Sequence, residues 1–189
     1  NGPYLKIAVE KGYFTLEDLF EKIDEFQKEY LAVIHGSPAS DSGTFRDLLL
    51  RHKLERKTYI VTEPGKDVQE AILDYQLLAQ AEDLSRVRIQ LRTGRTHQIR
   101  VHMAHIGHPL AGDTVYGGGR TPFEKHNAPL LDGQALHAAA LILRHPVTGE
   151  SMRFETPLPD GFDQHRLADA GGEGIDGNDA AGHDLRARF

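Results

Sequence analysis

The alternation of apolar and polar residues that begins at Arg86 places the strongest constraint on the fold of this chain. Apolar side chains stand at every second position, and polar or basic ones stand between them. The apolar set is Val87, Ile89 and Leu91, and the polar set is Arg86, Arg88, Gln90 and Arg92. Because successive side chains of a strand point to opposite faces, this period of two predicts a β-strand with one buried and one cationic face.

A turn and a helix are predicted directly after this strand. Gly94 allows a tight turn, and Thr96 is of a residue type that caps helix N-termini. Apolar residues then recur at helical spacing, at Ile99, Met103 and Ile106. Gly107 follows and is a typical helix terminator. Strand, turn and helix are therefore expected to be consecutive.

Helix and strand signals also occur in other segments. Thr15 is a candidate N-cap, and the acidic and apolar residues after it predict an amphipathic helix to about residue 26. Short apolar runs ended by Gly or Pro predict strands at residues 30–35 and 58–62. The turn sequence VTGE joins two further apolar runs, so we predict a hairpin of strands at residues 136–146 and 151–158.

These elements together indicate an α+β domain built on a largely antiparallel, mixed sheet with short flanking helices. Residues 70–80 fit either a strand or a helix. Residues 161–189 are rich in Gly, Asp and Ala and hold almost nothing to bury. We therefore expect a single domain over residues 1–160, followed by a disordered acidic tail.

The composition fits one ordinary domain without disulfides. The chain has 189 residues, 39% of them hydrophobic, which suffices for one sizeable core. Cysteine is absent, which excludes disulfides and thiolate metal sites, and we expect a cytoplasmic protein. No apolar run approaches the length of a bilayer span, and the first residues lack the order of a secretory signal, so no membrane partner is expected.

The distribution of charge favours a nucleic-acid partner although the net charge is -6. Residues 1–29 carry seven acidic and four basic side chains, and residues 160–189 carry seven acidic and three basic ones. No acidic residue lies between Asp83 and Asp113, where five arginines and four histidines are concentrated. This pattern predicts a local basic face on an otherwise acidic chain.

The junction of the cationic strand with the helix is a candidate anion site. Arg95 projects from the turn there, next to a helix N-terminus, and such a place attracts anions. The helix adds Gln98, Arg100 and His102, whose polar groups could reach a phosphate or a base edge. The residues alone leave an alternative equally open, in which the basic face is merely solvated and Arg95 forms an ion pair.

Several ordered motifs resemble the RluA-type pseudouridine synthases. The stretch TGRTHQIRVH is followed by GHPLAGD and YG, in the family's order and spacing. KEYLAVIHG resembles the strand that carries the family's active-site tyrosine, and ALHAAALILRHPVTGE with FETPLP resembles its closing hairpin. The resemblance covers residues 28–159. It implies an isomerase that converts uridine to pseudouridine in ribosomal or transfer RNA without a cofactor or a metal, acting on a base that is flipped out of its stack.

The resemblance also implies roles for individual residues. Tyr30 would stack on the uracil, Leu136 would pack against the base, and Arg95 would keep the nucleophilic aspartate ionised. The side chains expected to contact RNA are Arg86, Arg88, Arg92, His97, Gln98, Arg100 and His102. Among these, Arg88, His97 and Arg100 would bind backbone phosphate or support the turn.

One family motif is not found in this sequence. The catalytic aspartate of the family lies in a His-Arg-Leu-Asp segment some tens of residues before the tyrosine strand, and residues 1–27 contain no match. The segment HRLADAGG near the other end holds Asp169 one position late, which is typical of a chance match. We therefore expect that the N-terminal part of the family fold is missing. Two alternatives remain: a fragment of an active synthase, or a noncatalytic RNA-binding or ribosome-assembly module.

A metal site is a further alternative that the spacing does not favour. His97, His102, His105 and His108 fall within twelve residues, but no HExxH pattern or cysteine assists them. No metal is therefore expected. Asp113, in GHPLAGD, is expected to be a turn residue and not the nucleophile.

Overall fold

The computed structural model describes residues 26–81, 83–118, 125, 133–145 and 148–159. The helix predicted after Thr15, the Asp169 segment and the tail predicted for residues 161–189 lie outside the described residues. None of the described helices has the length and apolar character that a membrane span needs.

Seven strands and one helix make up the described part of the chain. The strands are β1 (Gln27–His35), β2 (Ser42–His52), β3 (Lys57–Val61), β4 (Val68–Ala81), β5 (Leu84–Leu91), β6 (Leu136–Arg144) and β7 (Ser151–Glu155), and the helix α1 is Gln98–His105. They form one sheet in the order β3-β2-β4-β5-β1-β6-β7. Each neighbouring pair among these strands runs antiparallel, so the described part shows none of the mixed character expected from the sequence.

The strongest sequence patterns predicted their strands correctly. The alternating segment lies in β5, and the apolar run after Tyr30 lies in β1. The predicted late hairpin is confirmed by the pairing of β6 with β7, in which Arg144 stands opposite Ser151. The ambiguous segment 70–80 belongs to β4, a strand of 14 residues.

Strand β2 was not predicted, because its sequence is not a clean alternation of apolar and polar residues. Its sequence SGTFRDLLLRH has three consecutive leucines, and only Leu49 among its residues is buried. Phe45 is held instead by stacking on Tyr75 of β4, with ring centroids 5.1 Å apart. Cross-strand contacts of this kind stabilise a strand but cannot be read from one segment alone.

The helix begins differently from the prediction. Thr96 was expected to be the N-cap, but His97 occupies that position, with a left-handed backbone at φ 57° and no capping hydrogen bond from its side chain. Thr96 instead uses its carbonyl group to accept the Thr58 hydroxyl of β3, at 3.0 Å. The prediction failed because the turn is determined by contacts with β3 and β4, which local capping rules do not include.

The main core lies on one face of the sheet and is covered by α1. Ile99 and Met103 of α1 pack there with Leu110 and with inward-facing residues of the three central strands. Those strand residues are Ala32, Ile34, Leu73, Tyr75, Val87 and Ile89. Since Ile99 and Met103 are one helical turn apart, one side of the short helix is buried while its N-terminal end stays beside the turn that carries Arg95.

Candidate active site and RNA-binding surface

The turn after β5 is built by hydrogen bonds to β4. The backbone N–H groups of Arg92 and Thr93 both donate to the Ile72 carbonyl, at 3.1 and 3.2 Å. The side-chain amide of Gln98 also donates to that carbonyl, through Nε2 at 3.0 Å. The Oε1 of the same side chain accepts the backbone N–H of Arg95 at 2.9 Å. Gln98 is 2% exposed, so its amide clamps the turn, and the prediction that it contacts RNA does not fit its burial.

Arg95 is held in this turn by a neutral partner. Its Nε donates to the backbone carbonyl of Glu70 at 2.9 Å, and no ion pair joins Arg95 to any of the residues that the structure describes. A guanidinium that is fixed through Nε can still offer its terminal N–H groups to one planar anion. Such an anion could be a carboxylate or a phosphate.

Tyr30 and Leu136 lie on the same sheet face, on adjacent strands. Leu136 stands opposite Ala32, and Tyr30 stands opposite Ala138 on one side and Ile89 on the other. Both side chains are partly buried and pack at the margin of the main core. The structure therefore brings two of the three predicted catalytic residues onto one apolar surface, which suits contact with a planar base.

Lys28 was not predicted but connects this surface to the Arg95 turn. It precedes Tyr30 by two residues on β1 and therefore shares its face. Its Nζ lies 3.4 Å from the position that a Cβ on Gly94 would occupy. Lys28, Tyr30 and the Arg95 turn thus lie at the same end of the sheet. The only sequence signal was the alternation of Lys28 with Tyr30, which is common in strands.

Arg100 supports the loop after α1. Its Nε and Nη2 donate to the two carboxylate oxygens of Asp113, both at 2.7 Å, and the side chains are 12% and 0% exposed. Asp113 also accepts the backbone N–H groups of Val115 and Tyr116. Burial opposes ionisation of Asp113, but these hydrogen bonds outweigh it and lower the pKa of Asp113. Arg100 therefore has the turn-supporting role, and Asp113 is the turn residue that was expected.

The arginines of β5 lie on the opposite face from Tyr30. Arg88 stands opposite Leu31 of β1, which points away from Tyr30. Its Nε lies 3.6 Å from the carboxylate of Glu29. Arg92 binds both oxygens of Asp74, at 2.6 and 2.9 Å, and Arg86 is half-buried. The predicted basic face therefore exists but is partly neutralised, and the sheet separates it from Tyr30 and Leu136.

The four histidines of the motif have separate surroundings. The Nδ1 of His97 lies 2.9 Å from the Tyr116 hydroxyl, and that of His108 lies 2.9 Å from the His35 carbonyl. His105 is exposed, whereas His102 is 1% exposed and neither of its ring nitrogens has a hydrogen bond to any described residue. Its burial does not fit the predicted RNA contact. Within the described ranges, no three His, Asp or Glu side chains are grouped as metal ligands.

Burial of His102 predicts a loss of stability in weak acid. Burial lowers the pKa of His102, Asp47 at 3.5 Å opposes this effect, and His105 adds to it. The unfolded chain therefore takes up a proton at a higher pH than the folded one, so stability falls as the pH decreases below about 6.5. We expect a smaller fall for His102→Leu in urea unfolding measured across this range. An equal fall in both proteins would contradict the assignment.

Comparison with known proteins identifies the family. A family model described as RNA pseudouridylate synthase matches residues 10–105, slightly more than half of the chain. The chain belongs to this family. It is 44% identical over 133 residues to a Bacillus subtilis protein named uncharacterized RNA pseudouridine synthase YlyB. It is 42% identical over 141 residues to the ribosomal large subunit pseudouridine synthase D of Haemophilus influenzae.

These matches cover only part of the relatives. The chain spans 41% of the Bacillus protein and 42% of the Haemophilus protein, while 70% and 71% of the chain itself is matched. Human RNA pseudouridylate synthase domain containing 1 has a similar structure, with a TM-score of 0.58 and 28% identity, covering 75% of this chain and 58% of that one. The sheet and helix described above are therefore a pseudouridylate synthase fold.

Proposed function

We propose that this chain acts as an RNA pseudouridine synthase and forms the part of the active site that receives uracil. The arrangement of the Arg95 turn carries this proposal. Gln98 clamps the turn, the Glu70 carbonyl orients the guanidinium, and Tyr30 and Leu136 provide an apolar surface at the margin of the core. The family membership supports the same reaction.

In the proposed reaction Arg95 binds the nucleophilic carboxylate. A bidentate contact with a guanidinium favours the ionised form of a carboxylate even where water is excluded. The carboxylate attacks C1′ of the flipped-out uridine as the bond between N1 and C1′ breaks. C5 of the freed uracil then bonds to C1′ and displaces the carboxylate, and the proton on C5 is lost to a base. Tyr30 stacks on the uracil near the C5 proton that leaves, and Leu136 packs against the base. No described carboxylate is paired with Arg95, so we propose that the nucleophile comes from outside the described residues.

For the RNA-binding surface we propose a smaller set than the sequence suggested. Arg86, Arg88, Arg92 and His97 remain candidates for phosphate contacts, since none of them is fully buried. Gln98, Arg100 and His102 support the turn and the helix. The substrate we propose is ribosomal or transfer RNA in the cytoplasm, and the name of the Haemophilus relative favours ribosomal RNA.

Release of tritium tests the proposal directly. RNA that carries uridine labelled with tritium at C5 loses the label when C5 becomes bonded to the ribose. We expect a protein that joins this chain to a segment with the family's catalytic aspartate to release tritium from such RNA, with no metal or cofactor added. Binding of the RNA without any release would contradict the proposal. That result would favour the noncatalytic RNA-binding module. The lack of a carboxylate partner for Arg95 among the described residues is consistent with that alternative.

A further inference from the structure

The turn that joins β2 to β3 combines basic side chains with a protruding apolar one. Residues 51–57 read RHKLERK and hold four Lys or Arg residues and a single acidic residue. Leu54 is 92% exposed, and Lys53 and Arg56 beside it are also exposed. The carboxylate of Glu55, the acidic residue, accepts a hydrogen bond from the Tyr59 hydroxyl and lies close to the His52 ring. We call residues 51–57 the β2–β3 tip.

The β2–β3 tip is anchored against the start of α1. The backbone N–H of Thr58, directly after the tip, donates to the Tyr116 hydroxyl at 2.8 Å. The Thr58 hydroxyl donates to the Thr96 carbonyl at 3.0 Å. The Tyr116 hydroxyl in turn lies 2.9 Å from His97. These bonds hold the tip in place beside the turn that presents Arg95, so the two can bind one ligand together.

The positive charge of Arg51 in the tip acts on the start of α1. Burial lowers the pKa of His97, and the nearby charges of Arg100 and Arg51 lower it further. Arg51 is part of the β2–β3 tip, so its charge acts on the N-cap residue of α1. Exposed basic side chains clustered as in the tip attract a phosphate backbone. A single exposed leucine is ordinary on a protein surface. Leu54, however, lies between Lys53 and Arg56, so it stands among basic residues that can bind phosphates.

We propose that the β2–β3 tip is a second RNA-docking surface, in which Lys53 and Arg56 bind phosphates and Leu54 packs against a base flanking the target uridine. Apolar side chains inserted beside bases, with basic residues on the adjacent phosphates, are a recurrent way of holding a deformed nucleic acid. The tip thereby holds the RNA chain beside the target uridine while the uracil enters the site. This inference rests on the proposed function because it names the flanking RNA as the partner.

Binding measured at several salt concentrations tests the role of the two basic residues, Lys53 and Arg56. The probe is a fluorescently labelled RNA stem–loop with uridines in its loop. Each phosphate contact to a single strand contributes about 0.7 to the slope of log K against log salt. We expect Lys53→Gln and Arg56→Gln each to reduce the slope by about that amount. Arg144→Gln is the control. It removes the same positive charge from an exposed residue of β6, outside the tip, and should leave the slope unchanged.

Leu54→Ala tests the apolar contact separately. We expect it to weaken binding about fivefold at every salt concentration, because it removes apolar contact and no charge. The three tip variants should melt at the wild-type temperature, because none of these side chains is buried. Wild-type slopes and affinities in all three would overturn the proposal, and would leave the tip as a surface for a protein partner.

The two proposals fail in different ways. Tritium release by the wild type together with unaltered binding by the tip variants would reject the role of the tip and leave the synthase activity standing. RNA binding that depends on the tip, without tritium release, would reject the synthase activity and leave the role of the tip standing.

Discussion

Replacing Asp113 with alanine is expected to lower the free energy of unfolding by about 3–5 kcal/mol, the usual cost of removing one partner of a buried ion pair. The Asp113 side chain is fully buried and Arg100 is 12% exposed, so the variant leaves a buried guanidinium without its counter-charge. The backbone N–H groups of Val115 and Tyr116 lose their acceptor as well. Urea unfolding of the purified chain measures this loss.

Asp74→Ala is the matched control for this variant. Asp74 also binds an arginine through both oxygens, but it is 29% exposed and its partner Arg92 is 59% exposed. Exposed pairs contribute about 0–1 kcal/mol, so the control should be far less destabilised. Similar losses in the two variants would show that burial does not determine the strength of the Arg100–Asp113 pair.

The acid dependence of Asp113 follows from the direction of its pKa. Burial opposes ionisation, but the hydrogen bonds from Arg100, Tyr116 and Val115 leave the folded-state pKa below the ordinary value. The pair therefore contributes its full stabilisation above the unfolded-state pKa of about 3.9 and loses it as the pH falls through the folded-state value. This loss occurs at a lower pH than the one expected for His102.

Much of the sheet could be predicted because its strands show local patterns. The alternation in β5 and the turn residues before β7 describe single segments and need no knowledge of neighbours. Strand β2 could not be found in this way, since Phe45 is held by Tyr75, thirty residues away in sequence. Likewise, the left-handed backbone of His97 depends on how the turn meets β3 and β4, which no capping rule anticipates.

The candidate site was predicted by motif and corrected by burial. The polar residues in TGRTHQIRVH suggested a series of RNA contacts, yet three of these side chains are buried or make contacts within the protein. Gln98 clamps the turn, Arg100 pairs with Asp113, and His102 is enclosed by the core. Only Arg95 in this motif has a guanidinium that is both oriented and without an ion pair among the described residues. Sequence shows which positions are polar, whereas packing decides which of them face a ligand.

Arg95→Ala is expected to reduce tritium release about 100-fold or more, the usual loss when an oriented charged donor is removed from an active site. RNA affinity should change little, because at most one phosphate contact is lost. Arg95→Lys keeps the charge but not the planar pair of donors, so we expect release between that of the alanine variant and the wild type.

Arg144→Ala provides the matched control for the Arg95 variants. It removes one arginine from the exposed surface of β6, whose one hydrogen bond to the described residues is a long contact of 3.5 Å to the Gly149 carbonyl. Its rate of release should equal that of the wild type. A wild-type rate for Arg95→Ala would show that the nucleophile is kept ionised by another group. In that case Lys28, whose ammonium group lies beside Gly94, would be the next cation to test.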